Sequence, residues 1–317
     1  MAIAHTPLAQ LRLPVIGAPL FMLSGPELVI AQCQAGIVGA FPSLNARGDG
    51  EFERWLNDIS AALAAHDAQP GNAKAAPYAV NLIVHRSNPR LAEDLALCVH
   101  YQVPIVICSL GAREAVNGAI HGYGGLVLHD VIHNAFAHKA IDKGADGLIA
   151  VAAGAGGHAG TQSPFALLQD IREWFDGPLL LSGCIATGHA ILAAQLMGAD
   201  LAYIGSAFIA TREARAAAEY QQAVVDSAAD DIIYTDCFSG IPGNFLKSSI
   251  LRAGLDPDHL SKPADGGIDF GQSSTLKVWK DIWAAGQGVG PIKAVVPAAE
   301  RIEHLVRQYT AAQRRCA

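Results

Sequence analysis

One histidine in this chain stands among glycines, in the segment Ala153-Gly154-Ala155-Gly156-Gly157-His158-Ala159-Gly160. Backbone without Cβ atoms can approach a flat ligand closely. An imidazole placed there, with a pKa ordinarily near neutrality, can take a proton or, when charged, hold an anion. The plainer reading is a hydrogen-bonding turn residue. Two other segments offer different chemistry: Ser182-Gly183-Cys184-Ile185-Ala186-Thr187-Gly188 and Gly205-Ser206. Both bring small residues and open backbone N–H groups to a point where a phosphate could bind beside a helix N-terminus. The alternative is that these glycines only shape tight turns. His129 and His133 could form a metal pair, since imidazoles four residues apart meet on one helix face. Yet His129 closes an apolar run and His133 opens the next helical stretch, so the two need not share a face, and no metal is expected.

What positions these residues is a repeating pattern. Short runs rich in Val, Ile and Leu lie at 15–18, 37–40, 78–84, 105–109, 125–128, 147–151, 179–182 and 201–204. Such runs read as fully buried parallel strands. Ala-rich stretches between them, at 26–34, 51–65, 90–101, 113–121, 132–143, 164–175, 190–197 and 207–226, read as helices. Pro26 and Pro164 suit a first helical turn, where a missing N–H costs nothing. Three stretches end alike, in QAG, KGADG and MGAD, with a glycine suited to the left-handed cap just before the next strand. Eight such alternations predict an α/β protein with a (β/α)8 TIM barrel, in which active sites gather at the carboxyl ends of the strands. His158 follows the sixth run, Ser182 to Gly188 the seventh, and Gly205-Ser206 the eighth. An open doubly wound sheet is the competing architecture, but the GxGxxG turn after the first strand is absent.

After Asp226 the rhythm breaks, so residues 1–226 are expected to form the barrel and 227–317 a C-terminal extension packed on it. The stretch 231–272, rich in Gly, Pro, Asp and Ser, reads as loops and short helices covering one mouth. Residues 297–315 read as a final helix on the outside. Over 317 residues the formal charge is −7 and only 16% of residues are charged, which argues against nucleic acid or an anionic membrane surface as a partner. No secretory signal and no long apolar span is visible, so a soluble cytoplasmic protein is expected. Six cysteines lack CxxC spacing. Cys33, Cys98 and Cys108, in apolar surroundings, are expected to be buried thiols.

Taken together, GAGGHAG, SGCIATG and GADLAYIGSAFIATRE resemble the nitronate monooxygenase family, formerly called 2-nitropropane dioxygenases. The opening IGAPLFMLSGPELVIAQCQAGIVGA, the NLIVH segment and the late WAAGQGVG extend the resemblance over nearly the whole chain. Its most specific part is the GGHAG segment. The resemblance implies an FMN-dependent (β/α)8 barrel with His158 as the active-site histidine. Gly183, Gly205 and Ser206, with Ser182 and Cys184, fall on the FMN phosphate loops, and Asn81 on a flavin-ring contact. Ala18, Pro19 and Met22 fall on the strand end that supports the isoalloxazine. Gly156 and Gly157 belong to the histidine loop, and Gln287 lies in a late AGQG motif near the cofactor. His129 is expected as a polar group lining the flavin pyrimidine edge. Three departures stand out: Cys184 where many relatives have Gly, Ser206 where Thr is usual, and no arginine after the proline in Ser239-Gly240-Ile241-Pro242-Gly243-Asn244.

The implied activity is oxidation of an alkyl nitronate, or of the parent nitroalkane, by FMN and O2 to a carbonyl compound and nitrite. His158 would remove the α-proton of a nitroalkane or hold the nitronate oxygens. An NAD(P)H-dependent reductase of quinones or enoyl thioesters is the alternative, because fold and cofactor are common to both. From another class comes a flavin-free phosphate-binding barrel acting as an isomerase or binding protein. His85 and Arg86, after the third run, also stand at the correct end, and Trp283 is expected to be a packing anchor.

Overall fold

The computed structural model describes residues 3–260 and 281–316. Nine strands occur up to residue 204: β1 (Val15–Gly17), β2 (Gly39–Pro42), β3 (Tyr78–Ile83), β4 (Ile105–Ser109), β5 (Leu126–Val131), β6 (Gly147–Val151), β7 (Gly157–His158), β8 (Leu179–Ser182) and β9 (Leu201–Ile204). All but β7 form one parallel sheet in the order β1-β9-β8-β6-β5-β4-β3-β2. A parallel bridge between Ile16 and Val38 joins its two ends, so the sheet closes into a barrel. Seven helices separate these strands: α1 (Pro26–Gln34), α2 (Glu51–Asp67), α3 (Leu91–His100), α4 (Glu114–His121), α5 (Asn134–Asp142), α6 (Pro164–Arg172) and α7 (Gly188–Leu196).

Strand alternation divides the apolar residues. Ile16, Ala79, Ile105, Ile107, Leu128, Ile149, Leu180 and Leu201 fill the barrel interior, while Val80, Leu82, Val106 and Val127 pack outward against helices. Pro26 and Pro164 open α1 and α6 as the sequence predicts. The helix-ending glycines Gly36, Gly144 and Gly198 have φ of 93°, 88° and 107°, the left-handed cap.

Three expectations change. The run expected to end at 128 continues to Val131, which turns His129 outward and Asp130 inward. The single helix expected at 207–226 is broken into α8 (Ser206–Ile209) and α9 (Ala218–Asp226). At the break, buried Thr211 bridges Val296, and Gln221 donates to the Ile209 and Thr211 carbonyls at 3.2 and 2.7 Å.

The stretch expected as loops and short helices also contains two strands. β10 (Ile232–Thr235) and β11 (Gly243–Leu246) pair antiparallel, and β11 pairs in turn with β7 of the histidine loop. α10 (Lys247–Arg252) follows; the part of that stretch beyond residue 260 lies outside the described residues. The final helix, α11 (Ala298–Cys316), lies against α7. There Gln308 accepts from the Gly188 N–H at 2.9 Å, and a Cβ on Gly188 would lie 2.1 Å from the Tyr309 nitrogen.

The histidine loop is clamped by backbone. The Gln287 N–H donates to the Gly154 carbonyl at 2.9 Å, and Asn244 Nδ2 to the Ala155 carbonyl at 2.6 Å. A Cβ on Gly286 would lie 2.5 Å from the Gly154 oxygen, and one on Gly156 would lie 2.8 Å from the Gly286 nitrogen. Because backbone cannot swing aside as a side chain can, Gly286→Ala is expected to lower stability by about 1–3 kcal/mol in urea unfolding. Gly290→Ala, where a Cβ would meet no atom within 4 Å, should leave the unfolding midpoint nearly unchanged.

Candidate active site

At the carboxyl ends of the barrel strands lies a cavity of about 260 Å³. Its floor is polar. Asn81 Nδ2 donates to the Ser109 hydroxyl at 2.7 Å and to the Ile107 carbonyl at 3.0 Å, and Ser109 donates to Asp130 Oδ2 at 2.5 Å. Tyr203 lines the same floor. One side is built from Ser182, Gly183 and Cys184 after β8 and Gly205-Ser206 after β9; another comes from Gly156, Gly157 and His158. Trp283 and Gly286 line it from the C-terminal segment.

His158 is held from outside its own loop. Its Nε2 lies 3.0 Å from the Ser239 hydroxyl, which itself donates to the Ile241 carbonyl at 3.0 Å. One hydroxyl proton cannot serve both bonds. With it on the carbonyl, Nε2 is the protonated nitrogen and the lone pair resides at Nδ1. Burial lowers the His158 pKa to about 4, so the ring is neutral at pH 7. Asp130 lines the cavity and is partly buried. Burial pushes its carboxyl up to about 6, against the hydrogen bond from Ser109.

Most residues expected from the sequence meet here: Ala18, Pro19, Asn81, Gly156, Gly157, His158, Ser182, Gly183, Cys184, Gly205 and Ser206 all line the cavity. Three do not. Met22 has a left-handed φ of 64°, its N–H bonds Asn45 at 2.7 Å, and Phe21 takes the lining position. Gln287 stands behind the loop, its Oε1 3.8 Å from Cys184 Sγ, while its neighbours Gly286 and Gly288 face the cavity. His129 points away from the barrel axis, is buried, and has Nε2 3.1 Å from Asn117 Oδ1. Its ring is a core group between β5 and α4, and the next residue, Asp130, occupies the lining position expected for it. His133 caps α5 by accepting from the Phe136 N–H at 3.3 Å and stacks on that ring, so it forms no pair with His129.

The phosphate-type turns are also specified further. At the N-terminus of α7, the Gly188 N–H is taken by Gln308 and the Ala190 N–H by Thr187 Oγ1 at 3.2 Å. The turns at Gly183 and Gly205 line the cavity directly. Cys184 has φ of 57°, a conformation that favours glycine. At Gly243, directly after Pro242, a Cβ would lie 2.8 Å from the Gly157 oxygen, so this position admits no side chain. Trp283 stacks on Tyr220 with ring centroids 4.9 Å apart and carries Arg252 on its face at 3.8 Å, the expected anchor with one edge in the cavity. Cys33, Cys98 and Cys108 are buried, and burial raises all three thiol pKa values, Cys33 and Cys108 to about 12.

Sequence reasoning missed Ser109, Asp130, Tyr203 and Ser239. Period-two alternation carried past residue 128 would have found Asp130; nothing local marks Ser239.

A profile of the nitronate monooxygenase family matches residues 5–308. The chain belongs to that family. It is thus a flavin-dependent oxidoreductase acting on a small-molecule substrate with oxygen. The nitronate monooxygenase of Paraburkholderia phytofirmans is 26% identical, over 96% of this chain and 94% of its own. Among solved structures, nitroalkane oxidase from Streptomyces ansochromogenes superposes with a TM-score of 0.80 at 22% identity, covering 100% of both chains. FabK from Thermotoga maritima gives 0.77 at 20% identity, covering 99% of this chain and 97% of its own. These two likenesses establish the TIM-barrel fold. No helix among the described residues is long and apolar enough to cross a membrane.

His129 supplies a pH test. Its pKa is lowered by burial to about 4 from an ordinary 6.5, so between those values the unfolded chain binds the extra proton. The stability due to its neutral burial is complete above pH 6.5 and lost as pH falls toward 4. His129→Gln should therefore reduce the slope of unfolding free energy against pH in that window by about one proton, read from urea unfolding at several pH values.

Proposed function

We propose that this protein uses FMN and O2 to oxidise alkyl nitronates to a carbonyl compound and nitrite. The observation that carries the reading is His158, neutral and held by Ser239, facing a cavity walled by two glycine turns. The chemistry of the lining fits FMN. Backbone N–H groups around Gly183, Cys184, Gly205 and Ser206 would hold the phosphate, since no Lys or Arg is among the described lining residues. Asn81 and Ser109 offer polar groups to the ring, and Ala18, Pro19, Gly156, Gly157 and Ser182 complete the cradle. A Cβ on Gly157 would meet no protein atom within 4 Å, so glycine there leaves space beside His158. Met22 and Gln287 would act from behind, by shaping the loops. Residues 1–226 would carry the cofactor, and 227–317 would hold the histidine loop through β11 and Gly286.

When bound, FMN accepts electrons from the substrate and passes them to O2. The protein's own part is proton control and orientation. The imidazole of His158 takes the α-proton of a neutral nitroalkane. Burial lowers its pKa, and an anion beside it raises that pKa again. The same ring then becomes a charged donor to the nitronate oxygens.

His158→Asn should lower turnover of neutral nitroalkane by roughly two to four powers of ten, while preformed nitronate suffers much less and FMN content stays near normal. Equal losses on both substrates would remove the proton-transfer role. Under anaerobic conditions nitronate should bleach the yellow cofactor; bleaching by NADH or NADPH instead would favour the reductase reading.

The turns can be tested without turnover. Heat should release FMN, not FAD, and the exposed Cys184 thiol should react with a maleimide markedly more slowly in the FMN-loaded protein than in the flavin-free protein. Equal labelling rates would move the cofactor away from the Gly183-Cys184 turn.

A further inference from the structure

Beside the first cavity lies a second, of about 700 Å³, and the two share His158, Asp130 and Val151 as a common wall. We infer that this second cavity binds the aliphatic tail of the substrate, so that the substrate class is nitronates with extended unbranched chains; the inference rests on the function proposed above.

The walls of the second cavity are mainly apolar, with Val131, Ile132, Phe136, Ala140 and Ile241 among them. Its opening is apolar too. Of the seven large hydrophobic residues exposed among the described residues, three line this one cavity: Ile132 at 37%, Phe136 at 48% and Tyr234 at 42%. Single exposed apolar side chains are ordinary on a protein surface, but a cluster around one concavity marks a binding site.

The walls are also preformed. The Phe136 ring stacks on His133 with centroids 3.9 Å apart, and Tyr234 donates its hydroxyl to the Ala159 carbonyl at 3.0 Å. A cavity of this volume is in the range of small-ligand sites. What identifies the occupant is the shared His158. A chain entering here reaches His158 from the cavity that Gly183 and Gly205 do not line, with its reactive end at the imidazole and its methylenes against Val151, Val131 and Ile132. A protein surface docked on the rim would leave the concave interior unfilled, whereas a flexible alkyl chain fills it.

The test uses FMN-loaded protein and straight-chain carboxylates, whose anionic head resembles a nitronate but does not react. Acetate, butyrate, hexanoate and octanoate are titrated by calorimetry, in parallel with kcat/KM for nitronates of the same chain lengths. Binding should tighten about fourfold per added methylene until the cavity is filled, and kcat/KM should follow. Ala112 lines only the second cavity, so Ala112→Phe should flatten both dependences. Ile132→Ser, at an exposed position on the second cavity, should weaken octanoate more than acetate. FMN content and circular dichroism report whether each variant is folded. Affinity independent of chain length in the wild type, or a full slope retained in both folded variants, would overturn the inference. A slope in carboxylate affinity with no turnover of any nitronate upholds the tail site and removes only the nitronate reading.

Discussion

The mouth of this barrel depends on stretches of backbone that lie against each other with no side chain between them. Gly156 meets Gly286 at a distance where a Cβ on either would clash, and a Cβ on Gly243 would clash with the Gly157 carbonyl. These approaches let β11 and the C-terminal segment hydrogen-bond the histidine loop directly, through the Gly154 and Ala155 carbonyls. A glycine-rich loop is otherwise the most freely moving kind of chain, because it gives up the most conformational entropy on ordering. Here that entropy is offset by bonds from segments more than eighty residues away. The imidazole of His158 is therefore aimed by the C-terminal part of the chain as much as by the barrel that carries it.

Burial, more than ion pairing, sets the charge state of the cavity. It lowers the His158 pKa and raises that of Asp130, moving both toward neutral forms. At neutral pH Asp130 is the one formal charge among the described lining residues, steadied by Ser109. An anionic group entering this site meets oriented N–H dipoles instead of Lys or Arg. Such dipoles are strong where water is excluded and need no reorganisation when the ligand arrives.

The departures from the family pattern follow from the same geometry. Gly243 has no room for a side chain because its strand pairs with β7 and presses on the Gly157 carbonyl. Cys184 holds a left-handed conformation that glycine would adopt more easily. Its backbone N–H remains part of the turn, so the substitution changes the side chain presented there without changing the kind of group that faces an anion.

The sequence by itself determined the barrel and most of its mouth. Apolar runs of strand length, glycine caps at helix ends and prolines in first turns are local signals, and local sterics decide them. His158 was legible for the same reason, since a histidine among glycines after a strand is a local pattern. Tertiary structure decided what depends on partners distant in sequence. Because strand side chains alternate, three further residues of pairing in β5 fixed which of His129 and Asp130 faces the cavity. Ser239, eighty-one residues from His158, comes to its imidazole only because β11 pairs with β7. No local preference of either segment encodes that pairing; it forms because two glycine backbones fit against each other once the barrel has closed.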